Sequence, residues 1–442
     1  MKNLIFLILL VLIPACASRQ TPSSAPQEEW LAMNRHFIAL HTQGDYDQAL
    51  ATALREVDLA QRFAPRENAE LATSLNNLGV TYTALGRFEE AKAPLERALA
   101  MRETILGPNH AEVATTLGNL GELYTAMNMA SEAEDAFIRA LEIRESGQQP
   151  ENADLAETLN NLGELYYRKG LLDQSETLLQ RALAIREREL GAQHPRLAST
   201  LDSLAGIEQA RGRLPQAQAL LEQSLAIKEE ALGGEHPWLV GTLTNLAEAL
   251  LLQDKVAEAE PLARKAVRIG ELAYGPDNVR MAIPLTTLGN LMRSQSRFEE
   301  AQDIYARALA LREQALPADH IDMAISLGNL AAVHYAQGRF AQAEPLYEQA
   351  LAISEAVLGP EHGDVAQLLH NLGVVDRKLG NLDQATNMFM RALAIREKLY
   401  GMSAPVVAET LEALSMTLKE TGDADAAAGY LQRARTIREQ NR

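Results

Sequence analysis

The amino-acid sequence predicts an all-α fold, an α-solenoid of about ten stacked helix-turn-helix hairpins, and three observations carry that expectation. The first is a leucine at a constant interval of 42 residues: Leu78, Leu120, Leu162, Leu204, Leu246, Leu288, Leu330, Leu372 and Leu414, with no insertion across nine copies. The second is that the next residue is always small: Gly79, Gly121, Gly163, Ala205, Ala247, Gly289, Ala331, Gly373 and Ser415. The third is a pair of further small columns, one running from Ala91 through Ala133 and Ser175 to Ala427, the other from Ala98 through Ala140 and Ser224 to Ala434, as close helix approach demands. A period in this range marks units that cannot bury an apolar face alone, so the unbroken register argues for one extended array without a second core.

In chain order, Met1, Lys2 and Asn3 precede residues 4–13, an apolar run too short to span a bilayer as a helix and suited to a secretory signal. Ile13, Ala15 and Cys16 resemble the lipobox of bacterial lipoproteins, with Pro14 a departure. That resemblance implies cleavage before Cys16 and its acylation, so residues 1–15 form a signal peptide and residues 16–28 a lipidated cysteine with a flexible tether. Ala17 after the cysteine implies, by analogy with Gram-negative lipoproteins, an anchor in the outer membrane facing the periplasm. Ordinary cleavage near Ala15 or Ala17, releasing a soluble periplasmic or secreted protein, is the alternative. Cys16 is the only cysteine, which excludes internal disulfides and a Cys-based zinc site.

Residues 29–68 form a worn tenth copy. Gly44 and Ala49 sit one period before Gly86 and Ala91, but His36 and Phe37 occupy the leucine and small columns, a degeneracy expected of a terminal cap. Residues 69–442 then form nine repeats, and residues 111–146 show how one is built. Val113, Ala114, Leu117, Leu120, Gly121 and Tyr124 recur at steps of three and four over residues 111–126, which predicts an amphipathic helix A. Residues 127–130 turn, at a place marked in other copies by Gly86, Gly170, Gly212, Gly338, Gly380 or Gly422. Helix B follows over residues 131–146, with Glu132 and Glu134 early and Arg139 and Arg144 late, complementing the helix dipole. No helix follows the last copy, so Leu431 and Ile437 are expected to be partly exposed, an edge for a partner or a second copy of the chain.

The Leu-Gly-x-x-Tyr and paired-Ala columns resemble the tetratricopeptide repeat across residues 30–440. The usual unit of about 34 residues is exceeded, and the longer variant is similar to the repeats of kinesin light chains and their bacterial relatives. The resemblance implies a right-handed superhelix whose helices A line a concave groove that binds short peptides, touched at the residue before the leucine column. Here that residue is Asn77, Asn119, Asn161, Asn245, Asn329 or Asn371, with Ser203, Thr287 and Ala413 as departures. An Asn amide both donates and accepts, so a ladder of them suits the backbone of an extended peptide; bonding between neighbouring helices is the alternative role. The family's basic clamp for a terminal carboxylate needs Lys or Arg there or four residues earlier, and the earlier column, which runs Thr73, Thr115, Glu157, Ser199, Gly241, Ile283, Ile325, Gln367 and Glu409, excludes it. Charge along the groove is uneven, with Glu122, Glu157, Glu164, Asp202 and Glu248 early and Arg293, Arg377, Lys378 and Lys419 late, a polarity able to orient a ligand.

A formal net charge of −18 opposes nucleic acid and anionic surfaces as partners. His110, His194, His236, His320 and His362 fall in one loop column, shared with Asn68, Asn152 and Asn278. Neighbouring helices stand about 10 Å apart, too far to share an ion, so a role at helix starts is expected and no metal or cofactor. No hydrolase elbow, zinc-protease helix or phosphate loop occurs, so an enzyme is not expected and no catalytic residue is assigned. The expected function is a membrane-anchored scaffold or adaptor binding a protein or peptide segment. The alternatives are an assembly factor for an envelope machine (pilus, secretion or outer-membrane protein biogenesis) acting through its convex face and open edge, or a cytoplasmic signalling adaptor if residues 1–15 are not a signal.

Overall fold

The computed structural model describes residues 25–63, 68–147 and 152–441; the expected signal peptide, Cys16 and residues 16–24 of the expected tether lie outside them. Residues 25–28, also expected in the tether, are helical. The chain divides into two compact units, Met1–Thr287 and Leu288–Arg442.

In the first unit α1 (Ala25–Gln43) packs on α2 (Tyr46–Phe63), α3 (Ala69–Ala84) on α4 (Phe88–Leu106) and α5 (Ala111–Ala126) on α6 (Ala130–Glu145). The series continues with α7 (Ala153–Arg168) on α8 (Leu172–Leu190), α9 (Pro195–Ala210) on α10 (Leu214–Leu232) and α11 (Leu239–Leu252) on α12 (Val256–Tyr274), then a single 3-10 turn, Val279–Met281. The division between units falls within α13 (Ala282–Ser294). The second unit holds α14 (Phe298–Ala315), α15 (Ile321–Ala336) on α16 (Phe340–Leu358), α17 (Gly363–Leu379) on α18 (Leu382–Tyr400), and α19 (Pro405–Thr421) on α20 (Ala424–Gln440). The described residues are thus helical hairpins in series, without a strand.

Local chemistry explains the boundaries. The loop histidines and asparagines other than His236 are N-caps: the ring Nδ1 of His110, His194, His320 and His362 accepts from the backbone N–H two residues on, and the Asn68, Asn152 and Asn278 carbonyls accept in the same way from the first turn, while His236 accepts from the Trp238 N–H just ahead of α11. The A-to-B turn needs a left-handed residue. Gly86 and Gly338 supply it at φ 72° and 74°, and in three copies Asn128, Asp254 and Ser296 are held there at 59°, 62° and 59°. Asn and Asp tolerate that region; Ser296 carries the strain.

Packing explains the columns. A Cβ on Gly121 would stand 2.5 Å from the Phe137 ring, one on Gly79 2.4 Å from Leu95, and one on Gly289 2.6 Å from Tyr305. In the cap the sizes are inverted, with Phe37 opposite Ala53, both buried. The leucine column reaches back into the preceding hairpin: Leu78 packs on Phe37, Leu40, Ala49 and Ala53, and Leu162 on Ala133 and Phe137. His36, in the leucine column of the cap, is exposed. At the other end one expectation is corrected. Ile437 is buried at 3% exposure because it faces its own hairpin partner α19, where it joins Val407 and Leu411, while Leu431 is half-buried.

A further device joins successive hairpins, and its signal in the sequence is a constant spacing of 14 residues. Arg102 donates to the Glu112 carbonyl (3.0 Å) and the Thr116 hydroxyl (2.7 Å); Arg186 donates to the Arg196 carbonyl and the Thr200 hydroxyl (both 2.6 Å). Arg144 with Thr158, Lys228 with Thr242, Arg312 with Ser326 and Arg396 with Thr410 repeat the pattern. Where the cation is replaced, by Gly270 or Ser354, its partner is replaced as well, by Pro284 or Leu368. A buried guanidinium without acceptors would cost several kcal/mol, so the two positions change together.

The first unit also closes on itself. Tyr46 stacks on Tyr274 with ring centroids 6.1 Å apart, and the Arg280 guanidinium lies over the Tyr274 ring at 4.6 Å. His236 Nε2 lies 3.1 Å from the Thr42 carbonyl oxygen, while Asn278 and Arg280 donate to the carbonyls of Leu85 (3.1 Å) and Ala84 (3.0 Å). Its first two hairpins therefore touch the loops of the fifth and sixth.

Candidate functional site

The concave wall of the first unit is built by the A helices. Since the leucine and small columns point into the hairpin stack, another face of each A helix, which carries the residue before the leucine and the one two after it, is left facing the hollow. One recess of about 70 Å³ is bordered by α1, α3, α5, α6 and α7, and a wider one of about 430 Å³ by α7, α9 and α11.

The asparagine column falls into separate roles here. Asn77 is 1% exposed, and its amide donates to Asn34 (2.8 Å) and Glu56 (3.0 Å), so it ties α3 to the cap and offers a groove ligand no N–H. Asn119 donates to Asn76 (2.8 Å) and Asn161 to Glu122 (2.6 Å), each half-buried and bridging to the preceding A helix. Asn245 is exposed in the wider recess beside Glu164, Tyr167 and Glu248. Asn76 and Asn160, not singled out from the sequence, complete the ladder; Asn160 accepts from the buried Arg186.

Electrostatics follow from the concavity. Glu122, Glu164 and Glu248 occupy one column, two residues past the leucine. Glu122 and Glu164 touch solvent only from inside a hollow walled by protein, and loss of water pushes Glu122 up to about 7, with repulsion from Glu157 and Glu164 adding to the rise. Glu164 is raised by the same loss of water, with Arg168 opposing and Asp202 contributing, and Glu248 by burial. Burial acts on Glu157 in the same sense, but Arg196 (3.0 Å), Arg186 and Arg144 outweigh it and hold this carboxyl below its usual value. Asp202 is paired with the buried Lys228.

In the second unit the same column carries no carboxylate: Asn290, which accepts from the Tyr305 hydroxyl, is followed by the apolar Ala332, Val374 and Met416, the last 54% exposed, and Ile325 is 48% exposed. Asn329 and Asn371 are half-buried, and Asn371 accepts from Gln367 (2.9 Å). Arg293 is exposed with its charge facing Tyr305 and Tyr347, Arg377 is engaged by Glu420 (2.9 Å), and Lys378 is exposed. No described helix is long and apolar enough to cross a membrane.

No curated protein matches the chain. Among solved structures, a kinesin-light-chain protein of Podosopora anserina with nearly identical TPR-like repeats is 26% identical over 47% of this chain and 98% of its own, with a TM-score of 0.39. A Rap protein solved in complex with competence and sporulation factor shares the fold at a TM-score of 0.60 and 15% identity, covering 87% of this chain and 99% of its own. The signal-transduction ATPase of Pyrococcus horikoshii with a tetratricopeptide repeat sensor aligns at a TM-score of 0.54 and 15% identity over 86% of this chain and 54% of its own. A tetratricopeptide repeat profile matches residues 29–104, 70–146, 154–230, 199–271, 239–314, 322–398 and 364–440, and a second matches residues 286–357. With hairpins, columns and profiles in agreement over nearly the whole described chain, the protein belongs to the tetratricopeptide repeat family, a scaffold type for protein–protein interaction.

Proposed function

We propose that the protein is a membrane-anchored scaffold that binds an extended protein or peptide segment along its concave wall, held at the periplasmic face of the outer membrane by acylated Cys16. The observation that carries the binding part is the pair of recesses lining one wall at equivalent repeat positions in the first unit, with Asn245 and the Glu122 column facing them. A preformed, continuous wall lets a segment bind without the scaffold itself ordering, which removes part of the entropic cost of association. The anchoring part rests on residues 4–16 of the sequence.

Photo-crosslinking residues placed at Asn161, Asn245 and Asn329 in intact cells should capture the same chain, whereas Arg97 and Asp135, exposed on helices B, should not. Capture only from the B-helix positions would favour an assembly factor working through its convex face. Cys16→Ser should move the protein from the membrane fraction to the soluble periplasm, and unchanged membrane retention would refute the anchor.

A further inference from the structure

We infer that the smaller recess of the first unit receives the head group of an arginine side chain on the bound segment, with Glu122 as its charge partner. This deepens the groove-binding proposal and rests on it.

The argument is an account of unused hydrogen-bonding capacity. The amide and guanidinium donors with bonds at the recess are Asn119 to Asn76, Asn161 to Glu122, and Arg144 to the Asp154 carbonyl and Thr158 hydroxyl, which leaves the single N–H of the neutral His41 ring as an uncommitted donor. Several acceptors are also uncommitted. The two bonds made by its Nδ2 orient the Asn77 amide and leave its buried Oδ1 without a partner at the recess. Both ring nitrogens of His41 are shielded and unpartnered at the same place. Burial first and the Arg280 charge second press His41 down to about 4, so its ring is neutral and presents one acceptor. Glu122 has no ion pair among the described residues; it accepts from the Asn161 amide, with the Arg280 and Arg144 charges acting on it without a salt bridge.

A buried acceptor without a partner is unfavourable, so a ligand group rich in donors is favoured there. A guanidinium carries five N–H donors in a plane and is the least costly cation to take out of water. A volume of about 70 Å³ admits about five water-sized occupants, enough for such a head group. The charged groups facing Glu122 are Glu157 and Glu164 from α7, Arg144 from α6 and Arg280 from the 3-10 turn. Of these Glu157 is paired with Arg196, Arg144 faces Asp154 and Glu157 as well as Glu122, and Arg280 lies over the Tyr274 ring, which leaves Glu122 as the lining carboxylate without a salt bridge.

The test uses the full chain and a fluorescent Gly-Ser peptide of about twelve residues bearing arginines, against the same peptide with citrulline, the neutral isostere. Arginine should bind about tenfold tighter at pH 8. The advantage should shrink several-fold at pH 6, because Glu122, near 7 in the free protein, must be ionised to pair. Glu122→Gln, which can still accept from Asn161, should remove both the advantage and the pH slope while leaving the circular dichroism spectrum unchanged. Equal binding of the two peptides, or an unaltered pH slope in Glu122→Gln, would overturn the inference. If both peptides bind equally and both are lost in Asn119→Ala/Asn161→Ala, the groove proposal stands and only the arginine assignment falls; if neither binds, the inference fails, and the intact-cell crosslinks decide the groove proposal separately.

Discussion

Removing one inter-hairpin staple offers a quantitative check on how the repeats are held together. Arg186 is 4% exposed, and burial presses its guanidinium down to about 10, with Glu157 opposing and Arg196 reinforcing the fall. It serves three acceptors: the Arg196 carbonyl, the Thr200 hydroxyl and, at 3.3 Å, the Asn160 side-chain carbonyl. Arg186→Met keeps most of the volume and orphans all three. At about 1–3 kcal/mol for each orphaned group, and with relief of the guanidinium desolvation on the other side, the net cost should be about 3 kcal/mol. Thr200→Val removes one of the three acceptors around Nη1 and should cost about 1 kcal/mol. The double variant should cost at least about 1 kcal/mol less than the sum of the singles, as the paired replacements Gly270 with Pro284 and Ser354 with Leu368 imply. Because a repeat array opens in segments, the cycle is best read from amide hydrogen exchange in α8 and α9. Additivity within about 0.5 kcal/mol, or exchange in Arg186→Met no faster than in the parent, would refute the reasoning.

Three further outcomes follow from the packing and the buried charges. Gly121→Ala drives a methyl into Phe137 and should cost about 1–3 kcal/mol, whereas Gly118→Ala, with nothing within 4 Å, should be neutral or stabilising by up to about 1 kcal/mol; urea midpoints compare them. Glu56 is fully buried and burial, opposed by the Asn77 bond, raises it to about 8, so the native state holds a proton that the unfolded chain releases. Stability should therefore fall as pH rises from about 4.5 to about 8, and Glu56→Gln should gain a few kcal/mol at pH 8 but nothing near pH 4.5, measured by denaturation at both. Tyr274→Ala removes the stack on Tyr46 and the seat of Arg280, and should speed exchange in the α1–α2 hairpin by about 2 kcal/mol of opening energy; unchanged protection would mean that the closure contributes nothing.

The candidate site was only partly legible in advance. The asparagine column pointed to the concave wall, but not to which members it leaves free: Asn77 and Asn245 share a register, yet one is sealed by the cap's Asn34 and Glu56 and the other is exposed. The same register cannot show this because the difference lies in the residue one hairpin away. His41 carried no signal at all, since its unpartnered ring matters only because α1 borders the recess. The staple has a signal in the sequence, a cation and a hydroxyl 14 residues apart in six copies, both replaced in two; in the cap Ala60 lacks the cation and Ser74 serves the Trp30 N–H instead.

By itself the sequence determined the hairpins and the register in which they stack. Helix period, capping side chains, left-handed turn residues and matched large and small faces are all satisfied within about two repeats, and a 42-residue register writes them out nine times. Only the tertiary structure decided that Thr42 meets His236 and that Leu85 meets Asn278, partners 194 and 193 residues apart. The reason is geometric. Each hairpin adds a small rotation set by the volumes of its buried side chains, and the closure of the first unit depends on the sum of those rotations, a quantity that no single repeat contains.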